Sequence, residues 1–274
     1  MKFRLPDWSI YALALGLILL YAMQANNDVA EQQSPELGPA LPDILPSDPN
    51  LLVETKPRQS GTGTAFSIDN EGSWLTARHV VDGCDEVGLV TGPGTGVRVD
   101  EVEISPQTDT AILRTKWKRP PLTPDFVETR RYNELGYFFG FPQGEPGDVI
   151  GSLIGRNQMI TRGRYNTREA VFAWAETRRS RGLTGSLGGL SGAPVLDKDG
   201  ELIGIVTAES ARRGRIYTVV PSNMTGLVPA QAKRRKTTAL GLENYGRQAD
   251  GFRRDRRIAQ VVCLVDASLF GKGQ

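Results

Sequence analysis

Residues 188–195 read Gly-Gly-Leu-Ser-Gly-Ala-Pro-Val, a run of small residues around one hydroxyl. Glycine at 189 and 192 permits backbone conformations closed to other residues, so a sharp turn can present Ser191. Gly192 and Ala193 leave room for a second backbone, and Pro194 fixes the exit into the next segment. A serine hydroxyl is a weak nucleophile at neutral pH. It needs a base within hydrogen-bond reach, and the base needs a group that orients it. The backbone N–H groups of Gly189 and Ser191 are the candidate donors to an oxyanion formed beside that hydroxyl.

The chain has one histidine, His79, within 75–81 (Leu-Thr-Ala-Arg-His-Val-Val). Any such serine chemistry must be built on it, and an imidazole with an ordinary pKa of about 6.5 suits the task. The candidate carboxylate is Asp109, in 108–113 (Thr-Asp-Thr-Ala-Ile-Leu), which stands directly before an alternating run. Asp82, Asp85 and Asp100 lack that position, and Ser186 lacks the Gly-Ala-Pro that follows Ser191. The order along the chain is His79, Asp109, Ser191. An α/β-hydrolase runs Ser, Asp, His and carries Gly-x-Ser-x-Gly, where this chain has Ala193 in the last place, so that class is excluded.

Around these segments the texture is that of an all-β domain. Glycine (31 residues) and proline (17) are frequent, and short β-prone runs alternate with turns. Strands are expected at 64–68, 73–77, 86–90, 97–104 and 110–115, then at 137–141, 149–159, 170–176, 193–196, 201–207 and 215–220. The two groups suit two packed barrels of about six antiparallel strands each. No internal repeat is visible, and no long helix is expected in the body before residue 222.

In order, these segments resemble the chymotrypsin/trypsin-like serine protease family. Thr-Ala-Arg-His is similar to that family's Thr-Ala-Ala-His, and Gly-Leu-Ser-Gly-Ala-Pro to its Gly-Asp-Ser-Gly-Gly-Pro. Residues 60–69 (SGTGTAFSID) resemble its opening strand. Residues 199–208 (DGELIGIVTA), 219–224 (VVPSNM) and 140–144 (GFPQG) look most like the bacterial HtrA/Deg branch. The resemblance spans about 58–228 and implies two six-stranded antiparallel β-barrels, endopeptidase activity on protein substrates, and His79, Asp109 and Ser191 as a triad, with no cofactor or metal. It implies that Thr207 bonds the catalytic aspartate and that 183–188 and 206–210 line the pocket for the residue before the cut. Gly185, Thr207, Ala208 and Glu209 are its candidate lining residues. An acidic residue six places before the serine favours Lys or Arg in trypsin itself; Gly185 stands there, so small or medium aliphatic side chains are expected. Glu209 either attracts a basic group at the mouth or is solvated. Leu190 replaces the family's aspartate, so activation by a freed N-terminus is not expected, and the stretch after 228 is too short for a PDZ domain. A silent scaffold on the same fold is the alternative function.

Residues 8–23 (WSIYALALGLILLYAM) carry no charge, follow Lys2 and Arg4, and precede Asp28 and Glu31. The pattern predicts a single transmembrane helix within 1–25, N-terminus inside the cytoplasmic membrane and the remainder periplasmic or otherwise extracytoplasmic. A cleaved signal peptide is the rival, but the small-residue cleavage site is poorly formed. Residues 26–57 are proline-rich and read as a tether. A peptidase domain at 58–228 and a basic segment at 229–274 complete the division. That segment holds the runs 233–236 and 253–257 and the apolar stretch 258–265, read either as docking on the domain among solvated charges or as a site for an acidic partner or lipid. The formal net charge of +2 implies no nucleic-acid partner. Cys84 and Cys263 fit no zinc spacing; a disulfide and two buried thiols both stand as readings.

Overall fold

The computed structural model describes residues 7–30, 35–127, 129–229 and 238–266. The chain divides into two units, Met1–Pro35 and Glu36–Gln274. In the first, helix α1 (Asp7–Ala30) carries the uncharged run. Among the described residues no helix is long and apolar enough to cross a membrane.

The second unit contains two seven-stranded sheets. One uses β1 (Asn50–Glu54), β8 (Leu135–Gly140), β9 (Gly147–Arg162), β10 (Thr167–Arg179), β11 (Pro194–Leu196), β12 (Leu202–Ser210) and β13 (Arg215–Val219). Its order is β1-β9-β10-β13-β12-β11-β8, and β8 also pairs β9, so six of its strands close into a barrel. β1 lies outside that ring, paired in parallel with the far half of β9.

The other sheet uses β2 (Gly61–Ser67), β3 (Ser73–Thr76), β4 (Glu86–Gly92), β5 (Thr95–Arg98), β6 (Glu101–Ile104), β7 (Ala111–Arg114) and β14 (Ile258–Leu264), in the order β5-β4-β14-β2-β3-β7-β6. Here the expectation of a second six-stranded closed barrel needs correction. The run 97–104 breaks at Val99-Asp100. The Val99 N–H turns to Val87 O (2.9 Å) and the Asp100 N–H to Arg114 O (2.8 Å). β5 and β6 therefore end as opposite edges with no ladder between them, and the sheet is a half-barrel. Its seventh strand comes from 258–264, which enters between β4 and β2.

Period-two alternation decides where each side chain is buried. Phe138 points into the closed barrel with Phe172 and Trp174, while its neighbours Tyr137 and Phe139 point to the layer between the sheets. Phe66, Leu75 and Ile112 from the half-barrel meet them there, whereas Ala65, Trp74 and Leu113 fill the half-barrel's own interior. Strands buried on both faces explain why many of these runs are apolar throughout. Helix α3 (Tyr245–Arg254) adds Ala249 and Phe252 to the shared layer.

The second basic run is split between core and solvent: Arg254 and Asp255 are exposed, whereas its two ends turn inward. Arg253 is buried and pairs Asp148 (2.7 Å), and buried Arg257 donates to Pro120 O and Pro121 O. The first run, 233–236, lies outside the described residues. Of the proline-rich segment, residues from 36 onward pack on the body: the Leu41 N–H bonds Arg130 O (2.7 Å), Leu41 is buried, and the Gln158 N–H bonds Pro49 O (3.0 Å).

Cys84, just after the short helix α2 (Arg78–Val81), is joined to Cys263 on β14 by a disulfide, with Cα atoms 5.5 Å apart across 179 residues of sequence. Cross-links that close long loops restrict the unfolded chain most. Replacing both cysteines by serine should cost about 2–5 kcal/mol, measured as a lower urea midpoint that reductant no longer changes.

Candidate active site

His79 lies on α2, which follows β3 without a break other than Ala77. Asp109 sits in the turn before β7. Its carboxylate reaches back to that helix: the His79 backbone N–H donates to Oδ1 (3.0 Å), and the ring Nδ1 lies 2.7 Å from Oδ2. Two more donors come from the other sheet. Tyr165 Oη donates to Oδ1 (2.8 Å), and Thr207 Oγ1 donates to Oδ2. Asp109 is 2% exposed. Burial works against its charge, but the facing His79 ring and the bonds from His79, Thr207 and Tyr165 outweigh burial and hold the carboxyl below the usual carboxylate range. For His79, burial disfavours the charged ring, Asp109 favours it more strongly, and Arg164 opposes in part; the net effect raises its pKa above 6.5. Burial and the Asp109 charge push the Tyr165 hydroxyl upward, so it stays a donor.

Ser191 is presented by a turn from the closed barrel. Gly189 (φ 95°) and Gly192 (φ 81°) take left-handed conformations. A Cβ on Gly189 would meet Phe141 O at 2.5 Å, and one on Gly192 would meet Thr64 O at 2.2 Å. The turn is held from the half-barrel: the Thr64 N–H bonds Ser191 O (2.9 Å), and Thr64 Oγ1 donates to Gly189 O (2.9 Å). Among the described residues the N–H groups of Gly189 and Ser191 have no acceptor. No hydrogen bond links the Ser191 hydroxyl to His79 there either, but both line one cavity of about 540 Å³ with Asp109, Thr207, Ala208 and Glu209.

Of the expected pocket residues, Thr207, Ala208 and Glu209 line this cavity and Gly185 does not. Gly185 O accepts from Arg179 Nη1 (2.6 Å). Glu209 is half-buried and already engaged: its carboxylate accepts from Ser186 Oγ and the Leu187 N–H (2.7 Å), which bridges the 183–188 and 206–210 walls. Gln143 Nε2 steadies the first wall through Thr184 O (2.6 Å) and Ser186 O (2.8 Å). The sequence reading omitted Tyr165, Glu169 and Gln143. No local pattern marks the first two, since their role depends on a hairpin tip reaching another sheet. Outside the site, the oxygens of Asp125, Asp197 and Glu201 lie within 4.8 Å of one another, but Asp125 pairs Arg130 (2.7 Å) and Asp197 caps the Asp199 and Glu201 N–H groups.

Glu169, 4% exposed, accepts the Asp109 N–H at 2.7 Å, and the Asn223 side chain lies close enough to lower its pKa in part. Burial first, then the Asp109 charge, pushes its carboxyl up to about 8. An acid whose folded pKa is raised stabilises the fold fully below its unfolded value near 4.5 and loses that contribution as pH rises through about 8. Stability should therefore fall across this window. Glu169→Gln keeps an acceptor for Asp109 and should flatten the fall, as read by denaturant unfolding at pH 5 and pH 8.5.

A family model described as trypsin-like peptidase domain matches residues 62–205. The putative serine protease HhoB of Synechocystis sp. is 27% identical over 170 residues, covering 60% of this chain and 38% of that protein. A probable periplasmic serine endoprotease DegP-like of Halomonas elongata is 27% identical over 190 residues, covering 67% and 38%. The chain thus spans well under half the length of these relatives. Among solved structures, the Rv3671c protease from M. tuberculosis in its active form has a TM-score of 0.51 at 20% identity, covering 65% of this chain and 76% of that one, a likeness of fold.

Proposed function

This chain belongs to the trypsin-like peptidase domain family, and from that premise we propose that it is a serine endopeptidase using His79, Asp109 and Ser191. One observation carries the reading: a buried Asp109 holds the His79 ring in the cavity where Ser191 stands beside two N–H groups without acceptors. A silent scaffold has no use for that combination.

The chemistry follows from the geometry. Asp109 accepts from Nδ1 and leaves Nε2 as the basic nitrogen. His79 takes the Ser191 hydroxyl proton as the oxygen attacks a peptide carbonyl. The carbonyl oxygen gains charge and is met by the N–H groups of Gly189 and Ser191. The imidazolium then protonates the leaving amine, and water hydrolyses the acyl-enzyme by the same path in reverse. Among the described residues β12 has no partner strand on its β11 side beyond Val206, which bonds Gly192 and Ala193, so residues 207–210 offer an open edge for an extended substrate. The Glu209 bridge narrows the slot for the residue before the cut, in keeping with small side chains there.

The domain reading at 58–228 is extended by β14, whose strand completes the half-barrel. A membrane anchor at 8–23 is part of the same proposal. It rests on the sequence alone, on an uncharged run that follows Lys2 and Arg4, since α1 as described is not long and apolar enough to cross a membrane. The name of the Halomonas relative places that protein in the periplasm, which fits an extracytoplasmic domain here.

Fluorophosphonate labelling tests the central claim. The full chain should label at Ser191, and Ser191→Ala and His79→Ala should not. Near-normal peptide cleavage by Ser191→Ala would overturn the assignment, because loss of such a nucleophile costs about a millionfold in kcat. A neutral His79 is required as base, so its raised pKa places the acid limb of kcat/KM above pH 6.5. Initial-rate pH profiles should show that limb, moved downward in Asp109→Asn together with a rate loss of about 10⁴-fold.

A further inference from the structure

Residues 51–57 precede the stretch that matches the peptidase family, yet they wall the cavity that holds His79 and Ser191. They are fixed there. β1 runs in a five-residue parallel ladder with β9, from Asn50 opposite Gln158 to Glu54 opposite Arg162. Thr55 closes the strap: its N–H bonds Arg162 O (2.8 Å), and its hydroxyl accepts the Arg164 N–H (2.7 Å). Gly163 is so close that a Cβ there would meet Thr55 Oγ1 at 2.5 Å.

Across the cavity stands the open edge of β12. Successive side chains of a strand face opposite sides. Glu209 faces the slot, where it bonds Ser186 and Leu187. Ala208 faces the other way and joins an apolar cluster with Leu51, Val53 and Met159. A peptide that adds to this edge alternates in the same manner. The residue whose carbonyl meets Ser191 faces the slot with the third residue before the cut, so the second and fourth face the strap.

We propose that Leu51 and Val53, with Met159 and Ala208, form a built-in apolar subsite that selects aliphatic side chains at the second and fourth positions before the cut. Leu51, Val53 and Ala208 are half-buried over a buried Met159, which leaves apolar surface for a guest to cover, and one methylene in such a pocket discriminates by about 10–200-fold. The inference rests on the peptidase reading and adds to it a source of specificity upstream of the matched domain.

The test uses the full chain and fluorogenic peptides with Val, Leu, Ser, Asp or Lys at each of the two positions, beside the rate of fluorophosphonate labelling. The wild type should favour Val or Leu over Ser or Asp by at least about tenfold. Leu51→Ser with Val53→Ser should erase most of that preference while the labelling rate is unchanged. Val53→Lys should turn the preference toward Asp, a gain that misfolding cannot produce. A labelled wild-type enzyme with a flat profile overturns the proposal and leaves the peptidase reading standing, as does a profile that all three substitutions leave intact. A wild-type chain that neither labels nor cleaves overturns both.

Discussion

The buried carboxylate of Asp109 is the constraint on which the rest of the structure depends. A charge removed from water is tolerated only where donors replace its hydration. Here four donors arrive from three separate segments: the backbone and the ring of His79, Tyr165 at the tip of the β9–β10 hairpin, and Thr207 on β12. Two of these belong to the sheet that carries Asp109 and two to the other, so satisfying one side chain fixes the two sheets against each other. A fifth contact, from the Asp109 N–H to Glu169, holds the backbone behind the carboxylate.

The serine turn obeys the same cross-sheet logic. Gly189 and Gly192 supply left-handed conformations, but the turn is held by Thr64, a half-barrel residue whose N–H and hydroxyl bond Ser191 O and Gly189 O. Ser191 and His79 therefore come from opposite sides of the seam between the sheets, each side braced by the other. The disulfide and β14 extend this bracing. Cys84 lies a few residues beyond His79, and Cys263 lies on β14, so the disulfide ties a strand from 179 residues further along the chain close to His79. The strap at 50–57 brings the upstream segment to the same place.

Local sequence made much of this legible. A lone histidine, a serine between glycines followed by Ala-Pro, and an aspartate before an alternating strand are short-range patterns, because each reports what its own few residues must do. The fold class was legible for the same reason: period-two alternation and turn glycines are local, and they mark strands whatever those strands pair with. Long-range pairing was not. The break at Val99-Asp100 that leaves one sheet open depends on which carbonyls, Val87 O and Arg114 O, happen to lie on either side.

By itself, then, the sequence determined which groups the proposed chemistry can draw on: one imidazole, an aspartate before an alternating strand, a serine in a glycine turn, and an all-β chain to hold them. Only the tertiary structure decided the company they keep. Tyr165 and Glu169 behind Asp109, the Glu209 bridge across the slot, the burial of Arg253 and Arg257, and the strap over the cavity join residues from 3 to more than 100 positions apart. Most of these contacts exist because two sheets and a long hairpin pack together. Packing is set by the summed burial of many side chains and the need to satisfy each buried polar group, a condition on the whole fold that no single segment carries.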